Sequence, residues 1–86
     1  MQKIRIEEIG NISCTYRNLE VFLNDGLEYF LFIGISDERK LFFEFSLSMK
    51  KITLTVEEWE YILNVAKEFL PKALADEDFY SNRWDE

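Results

Sequence analysis

Histidine is absent from this 86-residue chain, and cysteine and proline occur once each. Without histidine there is no Ser-His or Cys-His nucleophilic site and no His-containing zinc site. The residue most used as a general base near neutral pH is missing too. A lone Cys14 excludes an intrachain disulfide and suits a reducing compartment. Its alternation with Ile12 and Tyr16 reads as a buried, inert thiol in a strand. Long hydrophobic runs are also missing. The longest, residues 29–35, falls far short of the ~20 residues a membrane helix needs. The chain opens MQKIRIEE, with charges where a secretory signal has its apolar stretch. These absences predict a cytoplasmic protein with no membrane span. No Gly-rich phosphate loop and no nucleophile motif occurs, so a non-enzymatic protein without cofactor or metal is expected.

Aromatic residues are plentiful instead: eight Phe, four Tyr and two Trp. A chain this short is near the lower limit for a single core. Burying such rings, at about 1.5–3 kcal/mol each, supplies what a disulfide would elsewhere. The net charge of −7 is unevenly placed. Residues 1–55 hold seven bases and eight acids, and residues 56–86 hold three bases and nine acids. That field repels phosphate backbones and attracts basic protein partners.

The apolar residues change period along the chain. Leu27, Tyr29, Leu31, Ile33 and Ile35 share one face of a strand, and Leu41, Phe43, Phe45, Leu47 and Met49 share one face of the next. Upstream, Leu19, Val21 and Leu23 share a phase, and Ile12, Cys14 and Tyr16 share the other. The slip at Arg17 and Asn18 is either a β-bulge or a tight turn adding a short strand. Gly10 and Asn11 read as a two-residue hairpin turn, and Asn24, Asp25 and Gly26 as a three-residue loop. That loop would set Leu23 opposite Leu27 and Leu19 opposite Leu31. A five-residue loop at 36–40 sets Ile35 opposite Leu41, Ile33 opposite Phe43 and Leu31 opposite Phe45.

From residue 56 the period becomes helical. Trp59, Ile62, Leu63, Ala66, Phe69 and Leu70 form one stripe, with Glu57, Glu58, Glu60, Asn64, Lys67 and Glu68 on the other side. Thr55 and Glu58 have the spacing of a capping box, and Leu54 and Trp59 that of a hydrophobic staple. Pro71 should end or kink the helix, with a second short helix beginning there. The fold class is α+β: an antiparallel four- to five-stranded meander with a C-terminal helix on one face. The domain is expected over residues 1–75, followed by an acidic, aromatic tail at 76–86 in which Asp76, Glu77 and Asp78 lack the spacing of a calcium loop.

The sheet face away from the helix is the candidate site. Phe22, Phe30, Phe32 and Phe42 fall on it, among Glu20, Glu28, Glu44, Ser46 and Ser48. Such a patch requires a cover. The cover is another protein, a second copy of this chain, or the chain's own Phe79, Tyr80 and Trp84. Glu44 lies between Phe43 and Phe45 in sequence, and alternation turns it to this polar face. Arg17, Arg39, Lys40, Lys50 and Lys51 lie near strand ends and bends. Aromatics flanked by cations also hold single-stranded nucleic acid.

The run ITLTVEEWEYIL resembles the end of the positive-cofactor-four type transcriptional coactivator domains. The resemblance covers about residues 51–63. It implies a four-stranded antiparallel sheet followed by a helix, dimerisation, and binding of single-stranded DNA. The family's basic, glycine-containing segment has no counterpart here, where LFFEFSLSMKK stands. The charge balance points instead to a small acidic domain that binds a basic protein, in the manner of immunity or phage anti-defence inhibitors. A nucleic-acid-binding regulator is the alternative.

Overall fold

Alternating strands with one apolar face must bury that face, and the helix supplies the cover. The computed structural model describes residues 3–10, 15–24, 26–46 and 51–84, with side chains up to residue 79. Four strands, β1 (Ile4–Ile9), β2 (Asn18–Leu23), β3 (Leu31–Ile35) and β4 (Leu41–Phe45), precede one helix, α1 (Val56–Trp84). The strands form a single antiparallel sheet in the order β1-β2-β3-β4. The expected α+β meander with a C-terminal helix is thus the observed architecture. Leu19, Val21, Leu31 and Ile33 from the sheet are buried with Ile62, Ala66, Phe69 and Ala73 from α1. Leu63 and Leu70 of the expected stripe are half-buried.

The helix starts where its capping chemistry requires. The Thr55 amide donates to Glu58 Oε1 at 2.8 Å, and the Glu58 amide donates to Thr55 Oγ1 at 3.1 Å. This closes the reciprocal box. It also buries Glu58, which therefore does not belong with the solvated side of the helix. Leu54 and Trp59 both pack, half-buried, against the core.

Pro71 does not divide the helix. α1 runs continuously over 29 residues with Pro71 inside it. The core phase continues through Ala73, which holds the chain on its helical course past the missing N–H. Residues 76–84 therefore extend α1.

The β3–β4 register is as expected: Ile35 opposite Leu41, Ile33 opposite Phe43, Leu31 opposite Phe45. The two earlier registers differ. β1 pairs with β2 from Ile4 opposite Leu23 to Ile9 opposite Asn18. Ile9 thus faces Asn18, not Ile12 as a two-residue hairpin at Gly10 and Asn11 requires; Asn11 itself lies outside the described residues. This pairing sets Ile4 and Ile6 against Leu23 and Val21, joining apolar residues to the core. Arg17 precedes β2, and Asn18 opens it. Ile12 and Cys14 lie outside the described residues, as do Asp25, Leu47, Ser48, Met49 and Lys50.

β2 pairs with β3 with Leu19 opposite Ile33 and Val21 opposite Leu31, two residues from the expected register. An even shift keeps each β3 side chain on its expected face. In the longer connection Asn24 takes the left-handed conformation, at φ 55°. Leu27 is left 93 % exposed, outside any strand.

Candidate aromatic and acidic sheet face

A bulge decides which rings reach the outer face. Val21 is the partner of Leu31, yet its carbonyl also accepts from the Phe30 amide at 2.9 Å. Two residues thus oppose one, and alternation reverses before the bulge. Phe30 and Leu31 are both wholly buried in the core. Phe30 therefore leaves the candidate face, and Tyr29, expected in the core, takes its place.

The resulting ring row runs across three strands. Phe22 and Tyr29 meet edge to face with centroids 6.3 Å apart; Tyr29 lies 6.3 Å from Phe32, and Phe32 6.0 Å from Phe42. Phe32 and Phe42 close over Gly34, whose lack of a Cβ makes room for both rings. The rings are not laid open as alternation alone suggests. Phe22 is buried, and Phe32 and Phe42 are half-buried. Much of that cover is mutual. Part of it is Arg5, whose guanidinium carbon sits 4.2 Å above the Phe22 ring. Arg5 Nε also donates to Glu7 Oε2 at 3.1 Å, and Nη2 to the Gly26 carbonyl at 3.3 Å. The expected cover from the end of the chain is not supplied by Phe79, which is 63 % exposed. The Tyr80 and Trp84 side chains lie outside those described.

Carboxylates surround the rings. Glu7 is opposite Glu20, Glu20 opposite Phe32, and Phe32 opposite Glu44, one row across all four strands. Glu28 adds a fourth acid from the β2–β3 connection. Among the described residues, the Glu20, Glu28 and Glu44 carboxylates make no ion pair or hydrogen bond. Among the described residues, two grooves open on this side. One of about 420 Å³ is lined by Glu20, Phe22, Leu27, Glu28, Tyr29 and Ser46. The other, about 220 Å³, lies over Phe32, Gly34 and Phe42 and reaches Tyr16, Arg17 and Asp37.

The basic residues do not converge. Arg17 Nη1 lies 3.5 Å from Glu8 Oε1, and Lys40 Nζ 3.8 Å from Glu38 Oε2. Arg39, at φ 67° in the β3–β4 turn, forms a two-pronged bridge to Asp78 on α1, both contacts at 3.0 Å. Hydrogen bonding from Arg39 holds the Asp78 carboxyl below its usual range, and Asp78 raises Arg39 in turn. Lys51 is exposed just before the helix, and Lys50 lies outside the described residues.

Sequence reasoning missed Tyr29 because a bulge leaves no periodic signature. It missed Arg5 because a cation over a ring depends on the β1–β2 register. Among the described residues, no group of three or more Cys, Asp or Glu side chains converges as a metal site requires. No described helix is long and apolar enough to cross a membrane. The fold and this face define an α+β meander domain with an acidic, aromatic outer sheet. No family model matches the chain, and neither a curated protein nor a solved structure is significantly similar to it.

Proposed function

We propose that this is a non-catalytic domain that binds a basic protein through its outer sheet face, as an inhibitor of a nucleic-acid-handling protein would. One observation carries the reading. Among the described residues, the Glu20, Glu28 and Glu44 carboxylates make no ion pair around a fixed aromatic row. The cations Arg5, Arg17, Arg39 and Lys40 each stand beside a carboxylate of the same chain. Unpaired acids and paired bases favour a cationic partner, since complementary charge speeds encounter and sets orientation. A single nucleic-acid strand would need the reverse arrangement.

The test compares the parent with a Glu20→Lys, Glu44→Lys double variant in affinity capture from native host extract. The same pair is titrated with fluorescent single-stranded DNA at 20 and 200 mM salt. A basic protein retained by the parent and lost by the variant is the expected result. Tight DNA binding by the parent that weakens steeply with salt would overturn the reading in favour of the nucleic-acid one.

A further inference from the structure

The larger groove has the chemistry of a socket for one kind of side chain. Its lining combines two aromatic residues, Phe22 and Tyr29, with two acids, Glu20 and Glu28. No cation is among its described lining residues. Its volume of about 420 Å³ lies within the roughly 300–1,000 Å³ of ordinary ligand clefts. The chain itself shows how such a surface is used. Arg5 lays its guanidinium on one side of Phe22 while donating to Glu7 and to a carbonyl.

We propose that this groove receives an arginine side chain from the protein partner, its guanidinium stacked on Tyr29 and donating to Glu20 and Glu28. The inference rests on the basic-partner reading above and adds the residue recognised. Arginine suits the socket better than lysine. A planar guanidinium stacks on a ring and directs several donors at separate carboxylates, whereas an ammonium is a compact, strongly hydrated charge. Tyr29 is the accessible ring of the two, 36 % exposed, and the buried Phe22 meets it edge to face.

The probes are capped nonaarginine and capped nonalysine peptides, titrated into the full chain at 150 mM salt and followed by heteronuclear NMR. The arginine peptide should bind about threefold to tenfold more tightly, with the largest shifts at Glu20, Glu28, Tyr29 and Ser46. Tyr29→Leu should abolish the preference while leaving the spectrum dispersed, and Glu20→Gln with Glu28→Gln should weaken both peptides. Equal affinity for the two peptides would overturn the socket and leave the basic-partner reading standing. So would shifts centred on the exposed helix acids Glu57, Glu60 and Glu68. Failure of both peptides to bind would overturn the socket and the reading beneath it together.

Discussion

At Gly34 the two hairpin rings press on a single backbone position. A Cβ there would stand 2.7 Å from Phe42 Cε1 and 2.9 Å from Phe32 Cε1, closer than carbon atoms pack. Gly34→Ala should push the rings apart and destabilise the fold by about 1–3 kcal/mol, the usual cost of overpacking. Urea unfolding reads the loss, and proton shifts of Phe32 and Phe42 read the displacement. Thr55→Ala removes half of the capping box and should cost about 1 kcal/mol. The second effect was legible in the spacing of Thr55 and Glu58. The first was half legible: the pairing of Phe42 with Gly34 follows from the five-residue loop, but the ring's lean over the glycine does not. Phe30 was misplaced for a related reason. Period-two reasoning assumes an unbroken strand, and one bulge before Leu31 exchanges it with Tyr29.

Among the elements, α1 holds the clearest conflict between local preference and tertiary demand. Pro71 is exposed, offers no N–H to the preceding turn, and still lies inside a continuous helix. The apolar phase from Ile62 to Ala73 holds it there. Pro71→Ala should therefore stabilise the protein, by roughly 1–3 kcal/mol, with no loss of packing. A raised midpoint in thermal unfolding checks this; a fall would mean that the ring itself packs. The Arg39–Asp78 bridge ties the β3–β4 turn to α1, and both partners are solvent-exposed. The Asp78 pKa is lowered by folding. Its contribution is therefore present above the unfolded value and is lost as pH falls through the folded one, below about pH 4. The small stability gap between the parent and Asp78→Asn should hold at neutral pH and close on acidification below that range. Thermal melts from pH 7 to pH 2 measure it. The start of the helix, its stripe and the last hairpin were legible, because each is encoded locally, whereas the helix end expected at Pro71 was not. The first two registers depend on long connections whose length no turn motif announces.

For the whole molecule, length and charge have different owners. A 29-residue helix rises about 43 Å, far beyond a five-residue strand of about 17 Å. It sets the 49 Å long dimension. Among the side chains described, up to residue 79, the buried helix residues end at Ala73, and the acids continue. Residues 76–86 hold five acids and one base, four of the seven net negative charges. The described core thus ends before the most acidic part of the chain begins. If the outer sheet face recognises a cationic partner, the two regions divide the work: the far end of α1 attracts at long range, and the sheet selects on contact. A chain truncated after Ala75 separates these roles. It should keep the dispersed amide spectrum of the sheet and lose some thermal stability with the Arg39–Asp78 bridge. It should still prefer nonaarginine to nonalysine, while the salt dependence of its association rate becomes shallower, because screening acts on the long-range field first. An unchanged slope would place the attracting charge on the sheet itself.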